Sequence, residues 1–191
     1  MDQVSGSSRA DSRRNRARLL EAANSVFGEK GAAASTEEVA LRAGLGIGTL
    51  VRHFPTKQAL LEAIVLARLE RLVEAARTVL GEGQPDGFFA LFGLFVAEAQ
   101  DKRALGEVLA AAGDAFRAAN SVILDELWAI YSTLILRGQA AGLIRPGFDA
   151  DDVRALLAGA HQGLLVIGDN PRRRQRLLDV LMDGVRATPA G

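Results

Sequence analysis

The sequence contains no cysteine, which excludes disulfide staples, thiolate metal sites and cysteine nucleophiles. Histidine is nearly as scarce. His53 and His161 stand far apart in the chain, so neither has a neighbouring imidazole or thiolate with which to hold a metal ion. Aromatic residues make up only 5% of the 191 positions, with Trp128 and Tyr131 the single members of their types. No charge of either sign is in excess, since 23 Lys and Arg face 23 Asp and Glu. Long apolar runs are missing as well. The longest charge-free stretch, residues 155–168, includes His161 and Gln162 and falls short of the roughly 20 apolar residues a bilayer span needs. The opening MDQVSGSS has no apolar run behind it, so no secretory signal is expected. These absences lead to the expectation of a cytoplasmic protein with no membrane partner, no metal and no cofactor.

What is present is ample apolar material, 49% of residues against 24% charged. That composition suits a packed core rather than disorder, and the length suits one domain or two small ones. The overall neutrality conceals a split. Residues 1–57 carry nine basic and six acidic side chains, so a modestly basic head precedes an acidic remainder, which hints at a polyanion contact at one end.

The five prolines, at 55, 85, 146, 171 and 189, all fall where apolar periodicity breaks, as expected when proline is kept out of helix interiors. Between them the period is 3.6, with no run of strand-like alternation. The expected fold is all-α, with a polar, disordered tail at 1–10. Helices are expected over 13–30, 35–43, 47–53, 57–80, 86–100, 103–111, 114–141, 150–167 and 171–186. In the first, Leu19, Leu20, Ala23, Val26 and Phe27 form the buried face. Ser35-Thr36-Glu37-Glu38 has the pattern of a capping box, in which serine and glutamate satisfy each other's backbone amides.

Residues 35–57, STEEVALRAGLGIGTLVRHFPTK, are the informative stretch. Two short helices joined by a tight glycine-containing turn make a helix-turn-helix, whose second helix is placed to enter a DNA major groove. Val39, Ala40, Leu45, Leu50 and Phe54 are expected to hold the pair against the first helix, leaving Gly46, Ile47, Thr49, Arg52 and His53 outward. Arg14, within the basic cluster 13–16, could reach a neighbouring DNA backbone. The glycines at 44, 46 and 48 follow a helix rather than a strand, which argues against a dinucleotide loop.

From Leu19 to Leu61 the sequence resembles the DNA-binding region of TetR/AcrR-type transcriptional regulators, through the pattern A-G-x-x-x-G-T-L-x-x-H-F-P-x-K-x-x-L beginning at Ala43. The resemblance implies an all-α homodimer that is not an enzyme. It would have a helix-turn-helix domain at 11–55 and a larger helical effector-binding and dimerisation domain at 56–188. Ser35 and Lys57 would contact phosphate, and Thr49, Arg52 and His53 would touch base edges or backbone of a double-stranded operator. The sequence departs from the family pattern in two places. Val51 stands where a tyrosine is usual, and Gly46-Ile47 replace a serine and a basic residue. Ile47 could instead pack on a thymine methyl.

The C-terminal region supports two further expectations. Phe88, Phe92 and Phe95 fall at i, i+4 and i+7 on one helix face. With Trp128, Tyr131, His161 and Gln162 they could line a pocket for a neutral, flat organic effector. Ala155, Ala158, Gly159 and Gln162 lie on one side of the helix at 150–167, and Leu177, Leu178, Leu181 and Val185 form an apolar stripe on the last helix; the two helices could pack against their copies in a four-helix dimer interface. Each stripe could also serve a monomer core. The functional expectation is a ligand-responsive repressor of a pseudo-palindromic operator; the alternative is a small all-α ligand-binding or interaction protein whose helix-turn-helix has lost DNA binding.

Overall fold

Glycine and proline punctuation sets the helix ends in the computed structural model, which describes residues 3–100, 116, 118–168 and 170–187. The helices are α1 (Gln3–Lys30), α2 (Thr36–Arg42), α3 (Ile47–His53), α4 (Lys57–Glu82), α5 (Gly87–Gln100), α6 (Ser121–Ala140), α7 (Ala150–Ile167) and α8 (Pro171–Val185). A 3₁₀ turn at Gly31–Ala33 follows α1. Among the described residues there is no strand, only an isolated antiparallel bridge between Ile144 and Arg186. The helix expected at 103–111 and the start of the one expected at 114 lie outside the described residues.

One difference is at the N-terminus, where α1 begins at Gln3 although composition suggested an irregular tail up to residue 10. Once a helix is nucleated, each further residue adds a hydrogen bond, so a polar extension needs no buried face of its own. Elsewhere the caps act as the sequence requires. Ser35 Oγ accepts from the Glu38 amide at 3.2 Å while Glu38 Oε2 accepts from the Ser35 amide at 3.0 Å. Asp149 and Asp152 form the same reciprocal arrangement at the start of α7. Asn170 caps α8 ahead of Pro171.

The packing forms two compact units, one reaching Arg68 and including Phe116, the other beginning at Leu69. In the first, Leu19, Ala23, Val26 and Phe27 of α1 meet Val39 and Ala40 of α2, Leu50 and Phe54 at α3, and Leu60, Leu61, Ile64 and Val65 of α4. Short helices such as α2 and α3 are marginal alone and hold their shape through such packing, with each fully buried aliphatic or aromatic side chain contributing about 1.5–3 kcal/mol. This explains why the unit extends to Arg68 rather than stopping at the Pro55-Thr56 punctuation, since the first turns of α4 complete its core. In the second unit, Val73, Ala76 and Val79 of α4 pack with Phe88, Leu91 and Phe92 of α5 and Leu127, Tyr131 and Leu134 of α6. Val153, Leu157, Ala160 and Leu164 of α7 and Val185 of α8 close it. The link after α6 is tied to the end of α8, with the Arg145 amide donating to Val185 O and the Ala187 amide to Leu143 O, both at 3.0 Å.

Candidate nucleic-acid interface and effector-binding body

The turn between α2 and α3 depends on Gly44, whose φ of +62° lies in the left-handed region where a side chain would be strained. The Leu45 amide donates back to Ala40 O at 2.9 Å, closing the end of α2. Arg18 of α1 supplies the other half of the closure, its guanidinium donating to Ala43 O at 2.6 Å. A second tie comes from Arg42, which donates to Glu29 through both nitrogens (2.9 and 3.0 Å) and to Ser25 Oγ at 2.9 Å. The guanidinium and the Ser25 hydroxyl hold the Glu29 carboxyl down at about 2. With α2 locked on α1, the orientation of α3 is set by buried Leu50 and Phe54.

Of the residues expected at the DNA surface, Gly46, Ile47, Arg52 and Lys57 are exposed, and Thr49 and His53 are half-buried. Val51, at the family's tyrosine position, is also on the surface. Lys57 Nζ lies 5.5 Å from the centroid of the Phe27 ring of α1, and Arg16 lies 5.2 Å from that of Phe54, the residue that ends α3. Arg14 is exposed and paired with Asp11. Ser35 is more committed than its sequence suggests. Its oxygen accepts from the Glu38 amide, while the Glu37 amide, helped by the Ser35 hydroxyl, holds the Glu37 carboxyl below the usual range. The acidic pair Glu37 and Glu38 therefore already occupies the positive end of the α2 dipole.

In the second unit the structure brings together Phe88, Phe92, Trp128 and Tyr131. Phe88 stacks with Phe92 at 5.8 Å and meets Tyr131 edge-on at 6.1 Å, while Trp128 stacks on Tyr131 at 5.8 Å. Phe148, which no local pattern singles out, joins edge-on to Phe88 at 5.7 Å. Phe95 and His161 are half-buried. Gln162 is exposed and shares the solvent side of α7 with Ala158 and Gly159, so its place in the aromatic cluster is a correction. A helix turns about 100° per residue, and His161 and Gln162 cannot face the same way.

Comparisons with known proteins bear directly on these two units. Residues 19–64 match the model for bacterial regulatory proteins of the tetR family, and residues 84–187 match the model described as the SbtR-like transcriptional regulator C-terminal domain. The chain belongs to the TetR family of transcriptional regulators. A TetR regulator from Mycobacterium vanbaalenii is similar over 94% of this chain and 99% of that one, with 34% identity and a TM-score of 0.69. A TetR regulator from Streptomyces coelicolor has 32% identity over 91% of this chain and 99% of that one, with a TM-score of 0.65. RolR in complex with resorcinol shares the fold at 22% identity and a TM-score of 0.59, over 94% of this chain and 91% of that one. No curated protein matches the chain.

Family membership makes the chain a non-enzymatic, DNA-binding regulator with a ligand-binding domain. Among the described residues no helix is long and apolar enough to cross a membrane, and no cluster of three or more His, Asp or Glu could hold a metal ion. The exposed faces of α7 and α8 refine the expected TetR dimer surface. Ala155, Ala158 and Gly159 are exposed. Val166, 89% exposed, continues the same face at i+11 from Ala155. Leu177, Leu178 and Leu181 are half-buried against the unit's own core. Val185, at 1% exposure, is a core residue and has no surface to offer a partner, because the pairing of Arg145 and Ala187 with the chain around it folds the end of α8 inward.

Two positioning residues were not legible as such in the sequence. Arg18 reads as one more member of a basic cluster, yet it spans 25 positions to cap α2. Arg174, within the run Arg172-Arg173-Arg174, donates to Gly168 O at 2.6 Å and closes the end of α7. Each answers a helix carbonyl left without an intrahelical partner, and charge patterning alone does not reveal which carbonyl a long side chain will reach.

Proposed function

We propose that this TetR-family protein is a homodimeric repressor that holds a pseudo-palindromic operator and releases it when a small, neutral organic effector enters the C-terminal unit. The observation that carries the reading is the exposed face of α3, with Ile47, Val51 and Arg52 displayed above a fully buried Leu50–Phe54 anchor and Arg16 over the Phe54 ring at its end. In such a motif the second helix enters the major groove, and a two-fold dimer reads two half-sites about one DNA turn apart. Gly46, Ile47, Thr49, Arg52 and His53 face the bases, with Ile47 and Val51 favouring thymine methyls over a hydrogen-bonded contact. Lys57 and Arg14 meet phosphates, and Ser35 joins them once its hydroxyl turns from Glu37 to donate to a phosphate oxygen. The dimer is assigned to the exposed face of α7, with the outer edges of Leu177, Leu178 and Leu181 beside it.

The effector role is supported by the aromatic cluster of Phe88, Phe92, Trp128 and Tyr131, and by the binding of resorcinol, a flat neutral molecule, in RolR. Regulation requires the effector to favour one spacing of the two recognition helices, because equal affinity for both would shift nothing. The continuous α4, which contributes side chains to both cores, is the covalent route for that coupling. The test is a gel-shift and fluorescence-anisotropy titration against DNA flanking the protein's own gene. Selective binding is expected for the wild type, and retained operator affinity in an Arg52→Glu/Lys57→Glu double variant would overturn the assignment.

A further inference from the structure

Tyr131 lies at the centre of α6 with 0% of its surface exposed, and among the described residues its hydroxyl is the buried side-chain oxygen with no hydrogen-bond partner. Native structures rarely keep such a group, because its desolvation is not repaid until something accepts or donates the bond. Among the described residues no polar or charged side chain is buried. The surroundings are rings: Phe88 edge-on at 6.1 Å and Trp128 stacked at 5.8 Å. Burial in that apolar shell also pushes the phenol up, so it is neutral and a hydrogen-bond donor at any physiological pH.

We propose that the Tyr131 hydroxyl is the polar anchor of the effector site, and that it selects a neutral aromatic molecule bearing an oxygen acceptor such as a carbonyl. This deepens the effector role argued above and rests on it. An ionised ligand would lose its hydration with no buried charge among the described residues to meet it. Arg154, a cation that lies over the Trp128 ring at 4.6 Å, is already paired with Asp151. Phe88 and Phe92 are fully enclosed, whereas Trp128 is half-buried, so Trp128 is the ring of the cluster nearest to solvent. The sole tryptophan of the chain therefore reports directly on occupancy.

The experiment is a titration of Trp128 fluorescence in the full-length protein with acetophenone and with α-methylstyrene, which has the same shape but a methylene in place of the carbonyl oxygen. Acetophenone is expected to bind the wild type more tightly by about tenfold, the worth of one hydrogen bond to an otherwise unpaired group. Tyr131→Phe should erase that preference, leave α-methylstyrene binding unchanged, and melt no lower than the wild type. If both probes bind the wild type equally, or if Tyr131→Phe keeps the preference, the anchor is overturned while the effector site stands. If neither probe perturbs Trp128, the effector site at this cluster is overturned with it. A Tyr131→Phe variant that melts lower with unchanged probe binding assigns the hydroxyl to an internal structural bond and also overturns the proposal.

Discussion

At the scale of single residues, the most telling positions are those where an atom is missing or unmatched. Gly138 on α6 is one. A Cβ there would sit 2.6 Å from Cδ1 and 2.8 Å from Cγ1 of Ile144, with Pro85 O at 3.3 Å. Ile144 is itself 1% exposed and has nowhere to retreat. Gly138→Ala is therefore expected to destabilise by about 1–3 kcal/mol despite the better helix propensity of alanine, read as a lower denaturation midpoint in urea. Tyr131 is the opposite case. Removing its unpaired hydroxyl should cost nothing and is expected to stabilise by about 1 kcal/mol, a gain visible in thermal melting.

At the scale of elements, α2 and α3 are too short to stand alone, and their attachment to α1 decides the angle of the recognition helix. The Arg42–Glu29 pair is one attachment, and its pH dependence follows from the lowered Glu29 carboxyl at about 2. A depressed carboxylate contributes stability above its ordinary value near 4.5, and that contribution fades as pH falls from there toward 2. Both side chains are about half exposed, so the effect is small and salt-sensitive. Arg42→Ala should return the Glu29 titration, followed by carboxyl NMR, toward 4.5 and flatten the stability profile in that window. On the DNA side of the same elements, removing one phosphate-binding cation should reduce the salt slope by roughly one. Arg52→Glu/Lys57→Glu is thus expected to weaken operator binding strongly and flatten its salt dependence, with helical content unchanged by circular dichroism.

At the scale of the whole molecule, the proposed repressor role requires two copies to present α3 at a fixed spacing. The face of α7 that carries Ala158, Gly159 and the 89%-exposed Val166 is small and uncharged, which allows close helix approach around a two-fold axis. A charge placed there would be stranded in a desolvated interface. Gly159→Asp/Val166→Asp is expected to shift the protein to monomer in sedimentation at micromolar concentration and to reduce operator affinity, with the melting of each chain little changed. A dimer of wild-type strength in that variant would move the interface elsewhere on the chain.

Much of this architecture was legible in the sequence, because its determinants are short-range. Helix period, the Ser35–Glu38 box, the Asp149 and Asn170 caps and the glycine turn all act within about four residues, so the helix-turn-helix and most helix ends could be placed from local pattern alone. Tertiary structure decided what local pattern leaves degenerate. Val185 and Val166 are both apolar positions on periodic helices, yet one is buried and the other bare, because inward and outward are defined by the neighbouring helices rather than by the stripe itself. Arg18 and Arg174 belong to similar-looking basic runs, but each is fixed by a carbonyl that only the folded chain brings within reach. Gln162 left the aromatic cluster and Phe148 entered it for the same reason. The unpaired hydroxyl of Tyr131 exists only once distant helices have closed around it, since a polar atom becomes costly when packing takes its water away.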